Sequence, residues 1–116
     1  MVLLFLILNS LVSSVSSFSG VLALFKPQIF LNNNEIGESE KFYSYLYAIR
    51  AIPLGILVIV LPWVVTGIVV SILLFVAALI QLLDAILGLK RHNIKMIIGP
   101  AIAAIIHIIC GLLLLN

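Results

Sequence analysis

With 116 residues, of which 65% are hydrophobic and only 9% charged, and a mean hydropathy of +1.41, the chain cannot be a water-soluble domain, in which roughly 25% of residues are charged. A net charge of +2 from six scattered basic residues excludes a phosphate-tracking nucleic-acid surface, and the single cysteine, Cys110, excludes an internal disulfide, a CxxC redox centre and a multi-cysteine metal site. What remains is an all-α integral membrane protein: one domain, 1–116, folded as a four-helix bundle.

The first 25 residues carry no charged side chain, and ~20 apolar residues suffice to cross a ~30 Å hydrocarbon core as a helix. We read a first span over 3–25. A cleaved signal peptide competes with it, because VLLFLIL is a short apolar core and VSSVSS could hold a cleavage site near residue 17; the missing basic n-region and the apolar continuation VLALF favour the span. On a helix Asn9, Ser13, Ser16, Ser17 and Gly20 fall on one face, where small and hydroxylated side chains suit close packing against a neighbouring helix.

The stretch KPQIFLNNNEIGESEKFYS, 26–44, interrupts the apolar pattern with Pro27, three consecutive asparagines from Asn32 and a run of charges, and is expected to be a loop. The aromatic run Phe42, Tyr43, Tyr45 and Tyr47 suits the membrane interface. The next 39 residues, 45–83, are about twice one crossing, so a turn must lie inside them. LPWVVTG is its expected place: Pro62 ends a helix, Trp63 anchors at the interface and Gly67 lets the chain restart. The second span is then 45–61 and the third 66–89. After KRHN comes the fourth, 96–115, with Gly99-Pro100 expected to kink it. His92 and the basic residues around it read as a solvated turn.

Four spans put Lys26, Lys41, Lys90, Arg91 and Lys95 on one side. The positive-inside rule makes that side, with the 26–44 loop, cytoplasmic and both termini outside; the heavy use of Ile and Asn suits an AT-rich genome and a bacterial cytoplasmic membrane.

Three ionisable residues stay within spans: Arg50, Asp84 and His107. An Arg or Asp near the bilayer centre costs at least ~2.5 kcal/mol even on insertion scales, so pairing is expected. Asp84 stands ~9 Å along its helix from Lys90, and Arg50 ~13 Å from Lys41, so the two meet at similar depth, while His107 lies deeper with Gln81 between. Gln81 and Asp84 share a helix face with Ala77, Ala85 and Gly88. His107 shares one with Gly99, Pro100, Ala103, Ala104, Cys110 and Gly111. Tyr47 lies on the Arg50 stripe. These side chains, Arg50, Asp84, His107, Gln81 and Tyr47, form the candidate polar pocket, and Ser13, Ser16, Gly20, Ala77, Gly88, Gly99 and Ala103 the candidate packing contacts. No carboxylate pair or second cysteine accompanies His107 at ligand spacing, so no metal or other cofactor is expected.

RAIPLG at 50–55, DAILGLKRHN at 84–93 and the later His107 and Gly111 resemble the small four-span DoxX-like membrane proteins, in particular a branch of unknown function with Arg, Asp and His in its second, third and fourth helices. The likeness covers about 45–111. It implies a four-helix bundle in which Arg50, Asp84 and His107 share one polar site, and it brings no established activity.

The function expected first is a pocket for a small amphiphilic ligand, or the role of a membrane accessory subunit, with the bilayer, a second copy or another membrane protein as partner. A proton-coupled exporter working as a dimer is the alternative and would require Asp84 as its carrier, since the first span has no acid. An integral membrane enzyme using His107 as acid or base comes third, without a nucleophile and base pair to support it. A bacterial immunity or holin-like role rests on size alone.

Overall fold

A computed structural model describes residues 1–31 and 33–115; Asn32, which falls in the expected loop, and Asn116 lie outside the described residues. Five helices follow one another, α1 (Val2–Phe25), α2 (Pro27–Leu31), α3 (Glu38–Val64), α4 (Ile68–Lys90) and α5 (Ile94–Leu113), with no strand among the described residues. All but α2 are long and apolar enough to span a membrane. Their many Val and Ile residues are indifferent helix formers in water, but hydrocarbon offers no partner to a free backbone N–H or C=O, and a helix satisfies these groups within the segment.

The packing follows membrane logic. Small residues such as Gly20, Ala48, Gly55, Ala78, Gly88 and Ala104 are buried, together with Asn9, Ser13, Ser44, Ser71 and His107, while Leu11, Ile72, Leu79 and Ile105 face outward. Close backbone approach and interhelical hydrogen bonds hold such bundles together, because lipid leaves little apolar driving force between helices. Cys110 lies in the core with Val58, Val70, Leu74, Ala77 and Leu114.

The bundle consists of two antiparallel hairpins. α1 packs along α3 and α4 along α5; the hairpins join mainly through α1 and α5, whereas α3 and α4 touch little although a turn of only residues 65–67 connects them. Lys26, Lys41, Lys90, Arg91 and Lys95 collect at the end that holds the α1–α3 and α4–α5 connections.

Two expected boundaries move. The 26–44 loop is shorter than its composition suggests: Pro27 starts α2 at the first helical position, where its missing N–H costs nothing, and α3 already begins at Glu38, with Glu38 and Glu40 in its first turn favouring the positive end of the helix dipole. Nor does Pro62 end the second span at 61. α3 runs through it to Val64, because the Val58 carbonyl, which Pro62 cannot serve, accepts a hydrogen bond from Asn9 Nδ2 at 3.0 Å. The chain turns at Gly67 instead, with φ 109° and ψ −170°, a backbone region open essentially to glycine alone.

At the other end, His92 takes a left-handed conformation with φ 53°. Asn93 N–H then reaches Gly88 O at 3.0 Å and His92 N–H reaches Leu89 O at 3.1 Å, the hydrogen-bond pair of a Schellman cap. Asn93 in turn caps α5, its side-chain oxygen accepting from the N–H groups of Lys95 and Met96. KRHN is thus a compact double cap. α5 continues unbroken through Gly99 and Pro100.

Candidate functional site

Proline in α3 and the free ends of the helices account for much of the buried polarity. Asn9 answers Pro62 as described. Ser44 Oγ donates to Ala23 O near the end of α1, and Ser71 Oγ donates to Gly111 O at 2.7 Å near the end of α5, two carbonyls within the last turns, which lack an intrahelical partner. Gly67 N–H adds a bond to Leu114 O at 3.0 Å. Trp63 Nε1 donates to Ser10 Oγ at 2.7 Å.

A second set encloses a small cavity in the middle of the bundle. Ser13 and Ser16 come from α1, Tyr47, Arg50, Gly55 and Val58 from α3, Ala77, Gln81 and Asp84 from α4, and His107 from α5. Its volume is about 30 Å³, room for one or two waters, since a single water needs ~10–15 Å³. Arg50 is the one lining residue with an exposed side chain, and it stands at the sparsely packed seam between α3 and α4.

At that seam Arg50 Nη2 donates to Asp84 Oδ1 at 3.0 Å and, less directly, to Oδ2 at 3.3 Å. The pair is not sealed in the core: the Arg50 side chain is 46% and that of Asp84 16% exposed. Arg50 also lies over the Tyr47 ring, 5.7 Å from its centroid, within the range of a cation–π contact. Phe30 of α2 packs against that ring at a tilt of 32°, with centroids 4.7 Å apart. The short helix hidden in the expected loop therefore braces the tyrosine that backs the guanidinium.

Deeper in, Gln81 Nε2 donates to Ser16 Oγ at 3.2 Å, and His107 Nδ1 stands 2.7 Å from Asn9 Oδ1. The donor in that contact is fixed by its neighbour. Asn9 gives its amide N–H to Val58 O, so its oxygen faces His107 and the ring must carry its proton on Nδ1. Pro62, Val58, Asn9 and His107 form one chain that runs from α3 through α1 to α5. Two hydroxyls are left over: Ser13 Oγ and Ser17 Oγ are buried without a hydrogen-bond partner among the described residues.

The structure thus brings Arg50, Asp84, His107, Gln81 and Tyr47 to one cavity. Of the candidate packing residues, Ser13, Gly20, Ala77, Gly88 and Ala103 are buried and Ser16 is half-buried. Gly99 faces outward, with nothing within 4 Å of the place a Cβ would occupy. The close contacts belong to other glycines: a Cβ on Gly88 would stand 2.8 Å from the Met96 backbone, one on Gly111 2.7 Å from the Phe75 ring, and one on Gly55 would strike Ser17 Oγ. The capping roles of Asn9, Ser44 and Ser71 escape a reading by helix face. Asn9 could have been found by asking which side chain stands level with the carbonyl that Pro62 leaves free.

Chemically, the site can hold a small polar group. His107 Nδ1 is engaged by Asn9, no serine hydroxyl hydrogen-bonds the ring, and no three His, Cys, Asp or Glu side chains converge among the described residues. No curated protein and no solved structure matches the chain at a significant level. A family described as a domain of unknown function, DUF4267, matches residues 13–115, a stretch that includes every cavity-lining side chain, and the chain belongs to that family.

Proposed function

We propose that this small membrane protein binds a single-chain amphiphile whose polar head enters the cavity from the bilayer, between α3 and α4, while its tail stays in lipid. The observation that carries the reading is a small cavity walled by all four long helices, mostly apolar but with Ser13, Ser16, Gln81 and His107 in its walls, and with the half-exposed Arg50–Asp84 pair where α3 meets α4. Its size restricts the head to a group of one or two heavy atoms. A phosphocholine or sugar head does not fit this conformation.

The DoxX-like resemblance belongs to the same reading, since it concerns Arg50, Asp84 and His107. An exporter would need Asp84 free to exchange protons, whereas here the carboxylate faces a guanidinium at 3.0 Å. In orientation, we place the basic end in the cytoplasm of a bacterial cell and both termini outside, on the strength of the five lysines and arginines gathered there.

The test is photolabelling in nanodiscs with diazirine-bearing hexadecanol and hexadecanoic acid, each with unlabelled competitor. We expect competable labelling at Ala51, Leu54 or Ile80, which line the cavity, from at least one probe. Labelling spread over outward residues such as Ile72, Val76 and Ile105, without competition, would reject the reading.

A further inference from the structure

Three candidates compete for a further role. The open pocket of Glu38, Ser39, Phe42 and Tyr43 at the start of α3 lies along one helix and holds no buried unpartnered group, and the outward apolar faces of the helices carry no mark that separates a protein partner from lipid. The central cavity does carry more, because two of its walls offer hydrogen-bonding capacity that the protein itself does not use.

Ser13 is 2% exposed, lines the cavity and has a hydroxyl without a partner. His107 is also 2% exposed and lines the same cavity. Its Nδ1–H is committed to Asn9, and this is a consequence of Pro62: the proline deprives Val58 O of its helical donor, the Asn9 amide supplies one, and the Asn9 oxygen is then left facing the ring. In the neutral imidazole Nε2 is therefore an acceptor, and no protein donor reaches it among the described residues. Among the other polar walls, Gln81 Nε2 donates to Ser16 Oγ and Arg50 to Asp84.

We propose that the polar head the cavity accepts is a hydroxyl, donating to His107 Nε2 and hydrogen-bonding the Ser13 hydroxyl, and that the ligand is a long-chain lipophilic alcohol. This rests on the amphiphile reading above and narrows it. A carboxylate, a ketone or an ester has no hydrogen to give Nε2, and an ether has none either. An ammonium head can donate but not accept, and would meet the Arg50 guanidinium at the mouth. A hydroxyl donates and accepts, and one oxygen on a methylene fits the 30 Å³ available. Water shares this chemistry and is the rival source of the O–H.

The test uses the full chain in nanodiscs, with 1-hexadecanol, 1-methoxyhexadecane and hexadecanoic acid competing against the photoreactive hexadecanol for the cavity residues, and with the ¹⁵N signal of His107 Nε2 followed in parallel. We expect the alcohol to compete about fivefold better than the ether, the usual worth of one hydrogen bond, and to move the Nε2 signal. Ser13→Ala should cut that preference severalfold and leave the fold intact, since it removes a group that has no partner. Equal competition by alcohol, ether and acid would overturn the hydroxyl assignment and leave the amphiphile reading standing. An Nε2 signal already hydrogen-bonded and unmoved by the alcohol would assign the site to water alone and overturn it as well. Absence of cavity labelling by any probe would remove both.

Discussion

The two hairpins meet along two junctions that are built in opposite ways. Between α1 and α5 the contact is buried, uncharged and close, with Asn9 and His107 2.7 Å apart in the core. Between α3 and α4 it is thinner: Val58 shares the apolar core with Val70, Leu74 and Ala77, and nearer the basic end the half-exposed Arg50–Asp84 pair joins the two helices. A neutral hydrogen bond inside a tight contact holds two helices in place, because its atoms lose a partner if the helices separate and nothing in hydrocarbon replaces it. An exposed ion pair can part more readily, since the half-exposed Arg50 guanidinium can turn on its long stem toward water and headgroups. The first junction closes the bundle. The second is where the proposed ligand would enter.

The contrast is broken most severely at Asn9. Asn9→Leu leaves both Val58 O and His107 Nδ1 unpaired, at about 1–3 kcal/mol for each buried group, and should show as a large loss of unfolding free energy in detergent or bicelles. The same substitution in a Pro62→Ala background should cost clearly less, because an alanine in place of the proline restores the helical donor to Val58 O. Equal costs in the two backgrounds would contradict the proline–asparagine–histidine chain.

Gly88→Ala attacks the packing within the α4–α5 hairpin. Its Cβ would stand 2.8 Å from the Met96 backbone, which cannot rotate away, and overpacking of this kind costs about 1–3 kcal/mol. Gly99→Ala, on the same hairpin but facing open space, should be neutral or slightly stabilising, and melting temperatures of the two variants make the comparison.

At the open junction Arg50→Ala strands the Asp84 carboxylate in an apolar phase. We expect a loss of about 1–3 kcal/mol, with most of it recovered in the Arg50→Ala/Asp84→Ala double variant, read from a double-mutant cycle of unfolding free energies. A double variant no more stable than the single would mean that the pair makes no electrostatic contribution to holding the seam.

The smallest effect has the opposite sign. Ser13→Ala removes a buried hydroxyl that has no partner, so the protein without ligand should gain about 1 kcal/mol in the same unfolding assay. A destabilised Ser13→Ala would show that the hydroxyl is matched within the folded chain and is not waiting for a ligand.

Much of this could be read along the chain. A 25-residue uncharged opening, the mostly apolar 39-residue stretch from Tyr45 and the final Ile-rich run each specify helices, because length and apolarity alone decide what can cross hydrocarbon. The meeting of Arg50 and Asp84 follows from their matched distances to the basic end. Less legible were α2 and the early start of α3, where polar composition resembles a loop although Pro27 and the acidic first turn suit helix starts. His92 is exposed in the turn, as expected, but its left-handed conformation is not legible, because it depends on two carbonyls of α4 that must be capped. Gly99 has the spacing of a packing residue, but which face of α5 meets α4 depends on how the hairpin closes.

By itself, then, the sequence determined the phase, the number of crossings and the depth of the charged residues, all of which follow from transfer free energies summed along one dimension. Only the tertiary structure decided which carbonyl Asn9 serves, on which nitrogen His107 carries its proton and which hydroxyl is left without a partner. Those outcomes depend on rotation of helices about their own axes and on contacts between residues 49 and 98 positions apart. Neither quantity is set by the order of residues until the helices pack.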